Sequence, residues 1–306
     1  MAHKINAILT IAIPTYNRKD ELEKCICSIL PQLNDKIKIV VRDNCSDYDA
    51  EALVRGFDNS QIEFYKNPVN VGGDANIARL FECCDTDWLW VLGDDDFILP
   101  DAVKKVIDCI EANPDVIYIK FNSPYVGSTI GISGFLNAMK PRSAFANSFF
   151  TSECIYRING CQNDIYYQYK YLSTMCGQIA RVICHLIEKN DRCLFVPELL
   201  LEEHGSEISW ARLDLVLAQG LLLDFMYEFK DCFKSNIFKD YAIYSLHYIE
   251  GAKAPLAQKI YVWRLLVSRL GMWFILKNNY PQLLRIPLVR ILPANVYKKV
   301  RNLVMK

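Results

Sequence analysis

Four short segments of this chain carry side chains whose types and spacing suit chemistry. The most acidic is Gly93-Asp94-Asp95-Asp96, directly after the apolar run Trp88–Leu92. In an extended segment Asp94 and Asp96 point to one side and Asp95 to the other. Two carboxylates aimed together at the mouth of a sheet give a hard-oxygen site for Mg²⁺ or Mn²⁺ bridged to a diphosphate. A solvated acidic turn that only caps the strand is the alternative. Placement favours chemistry, because Phe97-Ile98-Leu99-Pro100 turns at once into a helix. Ile13-Pro14-Thr15-Tyr16-Asn17-Arg18 ends the first apolar run. There Pro14 and Thr15 shape a pocket beside a nucleobase, Tyr16 offers a ring face, and Arg18 reaches a phosphate. Read alone, the same segment is a turn with Asn17 as helix N-cap.

Asp43-Asn44-Cys45-Ser46-Asp47 again follows an apolar run. Asp43 is placed to accept a hydrogen bond from a base N–H, or else it builds an Asx-turn. In Asn67-Pro68-Val69-Asn70-Val71-Gly72-Gly73-Asp74-Ala75-Asn76, the paired glycines before a helix permit close backbone approach and expose helix N-terminal amides. They follow the third strand rather than the first, unlike a dinucleotide fingerprint, so a nicotinamide enzyme fits poorly.

These segments need strands behind them and helices in front. Ala7–Ile13 reads as a strand buried on both faces, followed by Leu22, Cys25, Ile26, Ile29 and Leu30 at helical spacing. Strands at Lys36–Val41, Ile62–Tyr65, Trp88–Leu92 and Val116–Phe121 alternate with helices at Ala50–Phe57, Ala75–Cys83 and Asp101–Ile110. The alternation predicts a doubly wound, largely parallel sheet that binds ligands at the carboxyl ends of its strands. Gly127–Asn147 reads as a mobile connection, Tyr166–Lys189 as helix, Cys193–Leu201 as strand, Ala211–Phe233 as a long helix, and Ile237–Lys306 as two or three more helices.

Composition agrees with a globular chain: 306 residues, 52% hydrophobic and 23% charged, enough for a sizeable core. The formal charge of zero is uneven: residues after Glu250 carry +11 and those before Gly251 carry −11. The 12 cysteines include no C-x-x-C pair and read as reduced core residues of a cytosolic protein, without a structural zinc site. Ile5–Ile13 is too short for a secretory signal, and Arg264 and Arg269 interrupt Ile260–Leu276 as a membrane span.

In this order, the four segments resemble the nucleotide-sugar-binding half of family 2 glycosyltransferases of the GT-A fold, over roughly residues 5–122. Pro14-Thr15-Tyr16-Asn17-Arg18 matches the opening motif, Asp43 the base-binding Asp, Asn70 with Gly72-Gly73 the N-x-G segment, and Asp94-Asp95-Asp96 the D-x-D metal motif. Phe149-Phe150-Thr151-Ser152, Tyr171-Leu172-Ser173-Thr174 and Phe195-Val196-Pro197-Glu198 resemble the abequosyltransferase-type branch of bacterial O-antigen synthesis. The resemblance implies an α/β, GT-A (Rossmann-like) mixed sheet flanked by helices. Residues 1–235 would form that domain, with a donor half 1–122 and an acceptor half 123–235, and 236–306 a basic helical extension.

The implied reaction is inverting transfer from a nucleotide-diphosphate sugar, UDP-sugar favoured, to a lipid-linked oligosaccharide. Mn²⁺ or Mg²⁺ on Asp94 and Asp96 would neutralise the leaving diphosphate, and a carboxylate would deprotonate the acceptor. Where many relatives carry a Glu-Asp pair, this chain has Thr174-Met175-Cys176-Gly177-Gln178, without an acid. Glu153 and Asp164 are the nearest upstream substitutes; Glu202, Glu203 and His204 lie downstream. A non-catalytic nucleotide- or sugar-binding protein on the same fold is the alternative. A nucleotidyltransferase would need a Gly-rich basic first loop.

In the tail, Trp263, Leu266, Val267, Leu270, Trp273 and Phe274 recur at helical spacing among Lys259, Arg264, Arg269 and Lys277. Such a helix suits the headgroups of an anionic membrane, at the inner face of the cell membrane, or packs as an ordinary helix with a basic face. Nucleic acid is not the expected partner, since the aromatics sit in apolar runs and not in a basic groove.

Overall fold

The computed structural model describes residues 7–139, 150–202, 218, 221–222, 224–229, 231–232 and 255–272. Its centre is an eight-stranded mixed sheet, in the order β3-β2-β1-β4-β7-β5-β8-β6. The strands are β1 Leu9–Thr15, β2 Ile37–Asp43, β3 Ile62–Lys66, β4 Trp88–Val91, β5 Val116–Lys120, β6 Gly127–Ile130, β7 Cys154–Arg157 and β8 Arg192–Phe195. From β3 through β4 the sheet is parallel, as the alternation predicts. Strand β7 then inserts antiparallel between β4 and β5, which converts a doubly wound sheet into a mixed one.

The first strand runs past Pro14 to Thr15. The Ala12 carbonyl accepts from Leu92 N–H on the β4 side, and the Thr15 carbonyl accepts from Asn44 N–H on the β2 side. Backbone groups alternate between the two neighbours, so the proline nitrogen faces the side where β4 has already ended and forfeits no ladder bond.

Helices α1 Lys19–Ile29, α2 Ala50–Arg55 and α4 Ala102–Ala112 connect the parallel strands, together with α3 Gly73–Cys83. Leu22, Cys25, Ile26 and Ile29 of α1 and Val103, Val106, Ile107 and Ile110 of α4 form one core cluster with Leu9, Ile11, Ile13, Ile37, Ile39 and Val41. Burial of such side chains contributes about 1.5–3 kcal/mol each, and these fix the strand ends that hold the loops.

Three later elements differ from the sequence reading. Gly127–Asn147 is not a mobile connection over its described part: β6 leads straight into helix α5 Gly131–Ala138. Gly131 sits at φ 62°, where glycine is favoured, and a Cβ on it would meet Asn190 Oδ1. The single helix expected over Tyr166–Lys189 is two, α6 Ile165–Lys170 and α7 Gly177–Glu188. Gly177 lies so near the Gln168 carbonyl oxygen that a Cβ would come within 2.7 Å of it. The last strand stops at Phe195, although Leu201 makes an isolated bridge with Ile98.

Residues Met1–Leu172 with Cys176–Ile208 form one compact unit, and Ser173–Met175 with Ser209–Lys306 a second. In the second, helix α8 Leu256–Leu270 buries Val262 and Leu266, and Arg269 pairs with Asp224 at 2.8 Å. Trp273, Phe274 and Lys277 of the expected stripe, and most of Ala211–Phe233, lie outside the described residues. Among those described, no helix is long and apolar enough to cross a membrane.

Candidate active site

The carboxyl ends of β1, β2 and β4 lie together, with Thr15 in register with Asp43 and Ala12 with Val91. The acidic segment that follows β4 is a tight turn, closed by Asp96 N–H donating to the Gly93 carbonyl at 3.0 Å. Strand alternation therefore does not govern it. Instead of Asp94 and Asp96 sharing a side, Asp94 and Asp95 share Arg18, whose Nη1 lies 2.7 Å from Asp94 Oδ1 and 2.8 Å from Asp95 Oδ2. Thr15 Oγ1 donates to Asp94 Oδ2 at 2.8 Å. Burial pushes the Asp94 carboxyl up to about 6, against the opposing pull of Arg18 and Thr15.

Asp96 faces a residue the sequence reading did not single out as functional. Ser152 Oγ donates to Asp96 Oδ2 at 2.5 Å and accepts from Gly93 N–H at 2.9 Å. Its carbonyl accepts from Trp90 Nε1 at 2.7 Å, so the 3₁₀ turn Thr151–Glu153 is pinned beside the acidic turn. Gly93 is required by close approach, because a Cβ there would stand 2.7 Å from Asp96 Oδ2.

Asp43 is fully buried, and both its oxygens accept from Ser46 N–H, at 3.0 and 3.2 Å. This is the Asx-turn geometry, with Lys66 Nζ 3.5 Å away. Asn17 does not cap α1. It adopts φ 54° and clamps two loops, exchanging side-chain bonds with Asp47 and donating its own N–H to Ser46 Oγ. Tyr16 is exposed beside it.

The loop before α3 is shaped by side-chain amides. Asn44 Nδ2 donates to Asn70 Oδ1 at 2.8 Å, while Asn44 Oδ1 accepts from Val71 N–H and Asn67 Nδ2. Asn67 also donates to Asn76 Oδ1. Asn70 Oδ1 accepts from the N–H of Gly72, which sits at φ 86° and opens α3. A Cβ on Gly72 or Gly73 meets nothing within 4 Å, so backbone faces open space there. Thr15 and Asp43 at their strand ends, and Tyr16, Arg18, Asn70, Gly72, Gly73, Asp94, Asp95 and Asp96 beyond the strands, thus all lie at one edge of the sheet, with Pro14 behind them.

The expected bases divide. Glu153 is at this edge, but Lys120 Nζ lies 2.5 Å from one oxygen and Asn122 Nδ2 donates to the other at 2.7 Å. Asp164 is not brought here. Strand β7 carries the chain to the opposite edge, where Ile158 N–H bonds Asp87 ahead of β4. There Asp164 meets His185 Nδ1 at 2.7 Å, and Asp191 takes His185 Nε2 at 2.7 Å. Glu203 and His204 lie outside the described residues.

The acidic turn fits a divalent cation. Its donors are hard carboxylate oxygens: Arg18 takes one from Asp94 and one from Asp95, and Ser152 orients Asp96. Asp94 and Asp96 are the residues that would hold the ion.

Comparison with known proteins bears on the family and the fold. Residues 10–152 match the glycosyl transferase family 2 sequence model. Abequosyltransferase RfbV of Salmonella typhimurium is 31% identical over 114 residues, covering 36% of this chain and 34% of that protein. The GalNAc(5)-diNAcBac-PP-undecaprenol beta-1,3-glucosyltransferase of Campylobacter jejuni is 28% identical over 102 residues, 32% of this chain and 33% of its own. This chain therefore spans about a third of the length of these relatives. The fold is that of the mannosyltransferase PcManGT from Pyrobaculum calidifontis, solved with GDP-Man and Mn²⁺, with a TM-score of 0.52 at 12% identity over 97% of this chain and 83% of that one. The GT-A architecture expected from the motifs is the one observed. Residues 10–152, which build the loops at this sheet edge, are thus similar in sequence to glycosyl transferase family 2.

Proposed function

We propose that the protein transfers a sugar, with inversion, from a nucleoside-diphosphate donor to a hydroxyl of a lipid-linked oligosaccharide in bacterial surface polysaccharide synthesis. UDP-sugar is the favoured donor. The observation that carries the reading is the convergence of Thr15, Arg18 and the Asp94–Asp96 turn on the edge that also presents Asp43 and the Asn70–Gly73 loop. In this assignment Pro14, Thr15, Tyr16 and Asp43 receive the base and ribose. The open backbone at Gly72 and Gly73 lies against the donor, and Arg18 faces the diphosphate. Mn²⁺ or Mg²⁺ on Asp94 and Asp96, when bound, supplies positive charge to the departing diphosphate. Arg18 adds fixed positive charge, and Ser152 keeps Asp96 oriented.

A lipid-bound acceptor suits the basic segment after Glu250, which would meet an anionic membrane surface. A second reading, a binding protein without catalysis, is favoured by the start of α7, where Gly177-Gln178 carries no acid.

Asp96→Ala tests the metal role. Thermal shift with Mn²⁺ and a panel of nucleotide sugars should stabilise the wild type, by about 2.7 kcal/mol at 100 times the dissociation constant. The variant should stay folded and lose this response, and EDTA should abolish it in the wild type. An undiminished response in either case rejects the assignment.

A further inference from the structure

We propose that Cys161, Asp164 and His185 hold a zinc ion at the edge of the sheet opposite the acidic turn. Their ligand atoms, a thiol sulfur, a carboxylate oxygen and an imidazole nitrogen, lie within 4.8 Å of one another, and all three residues are buried. The transferase reading concerns the other edge, so the two stand or fall separately.

Local structure assembles the set. Beyond the end of β7, Asp164 N–H donates to the Cys161 carbonyl at 3.1 Å and closes the 3₁₀ turn Gln162–Asp164. Side chains three residues apart eclipse on such a turn, which puts the thiol and the carboxylate on one side. His185, in the last turn of α7, completes the group. Its Nδ1 lies 2.7 Å from Asp164 Oδ2, and its Nε2 lies 2.7 Å from Asp191 Oδ2. An imidazole that gives one N–H to a carboxylate keeps the tautomer and orientation in which its other nitrogen binds metal. Asp191 is thus the outer carboxylate that a metal-binding histidine requires.

Donor chemistry selects the ion. Magnesium and calcium take oxygen ligands, whereas zinc accepts sulfur, nitrogen and oxygen together and binds through three protein groups with one tetrahedral position to spare. Charge closes as well. The thiolate, Asp164 and Asp191 are offset by the dication and by the buried guanidinium of Arg181, which donates to the Cys161 carbonyl at 3.1 Å and the Arg157 carbonyl at 3.2 Å. One proton between Nδ1 and Asp164 holds that pair at 2.7 Å in the structure. Zinc replaces it together with the thiol proton, and the ligands then stand about 2.0–2.3 Å from the metal. Melts that report on the histidine proton are therefore made with EDTA present. The sequence offered no C-x-x-C pair, but that rule does not see Cys161-Gln162-Asn163-Asp164 joined by a histidine 21 residues beyond Asp164. The bound ion would tie the turn after β7 to the end of α7.

The test strips the full chain with EDTA and titrates it with Co²⁺ and then Zn²⁺. Cobalt bound to a thiolate shows a sulfur-to-metal charge-transfer band in the near ultraviolet, which a carboxylate cluster cannot give. The wild type should develop this band at one Co²⁺ per chain, and Zn²⁺ should bleach it. Cys161→Ser should lose the band. Asp96→Ala should retain it, because the acidic turn has no thiol. Asp191→Asn should keep the band while zinc affinity, read by competition with a chelator, falls about tenfold or more.

A wild type without the band overturns the proposal, as does a band of full strength in Cys161→Ser or its loss in Asp96→Ala. Asp191 is 44% exposed and its variant keeps the test decisive if Cys161→Ser does not fold. Zinc affinity in Asp191→Asn equal to that of the wild type overturns the assignment by itself.

Discussion

Asp43 has no exposed surface, and both its oxygens are turned toward one backbone N–H, that of Ser46. A carboxylate that shapes a turn and one that reads a nucleobase make different demands on the side chain. Asparagine keeps an acceptor for Ser46 but loses the negative charge, whereas alanine loses both. Asp43→Asn should therefore hold the wild-type melting temperature yet weaken UDP binding by about 1.5–3 kcal/mol, the range for a charge-assisted hydrogen bond. Asp43→Ala should lose the same affinity and also melt earlier, because a buried N–H is left unpaired. Titration calorimetry with UDP and thermal melts of both variants separate the roles. Wild-type affinity in Asp43→Asn would confine the residue to its turn.

Among the elements, α7 crosses the sheet from one edge to the other. Its Gln178 approaches Thr151 beside the acidic turn, and its His185 is bracketed by Asp164 and Asp191 at the far edge. Burial opposes the imidazolium, but hydrogen bonds to Asp164, Cys161 and Asp191 outweigh it and raise the pKa from 6.5 to about 10. A raised histidine stabilises the fold fully below its unfolded value, and the contribution disappears as pH rises through about 10. His185→Gln should thus melt lower than wild type at neutral pH, and the gap should close above pH 10; thermal melts across that range decide it.

The alternation of strands and helices through Phe121 was legible because each unit has its own apolar period and its own loop signal. So was the residue content of the four loops. The insertion of β7 was not, because its register is set by β4 and β5, remote in sequence. The same distance hid Ser152, 56 residues from Asp96, and the pairing of Asn44 with Asn67, 23 residues apart on different loops. The outward course of Asp94–Asp96 was misread because an extended period was applied to a turn.

For the whole molecule, charge is the property that sorts the chain into an acidic body and a basic end, with −11 before Gly251 and +11 after Glu250. The protein should sediment with anionic vesicles at low ionic strength and release as salt shortens the Debye length from ~30 Å at 0.01 M to ~8 Å at 0.15 M. Absence of sedimentation at every salt concentration would leave the basic end a packed element, as the burial of Val262 and Leu266 already is for one face of α8. The placement of β7 bears in turn on how the chain is made. On the ribosome, β4 emerges as a bare sheet edge, with every residue of Trp88–Val91 destined for burial, and stays so until Cys154–Arg157 has been synthesised. The residue that bonds Asp96 in the acidic turn, Ser152, arrives at the same moment. A nascent chain stopped short of that point holds the four loops proposed to meet the donor, and Thr15 and Arg18 beside Asp94, but not the Ser152 contact to Asp96, so the complete acidic turn and the covered β4 edge are acquired together, in one step of synthesis.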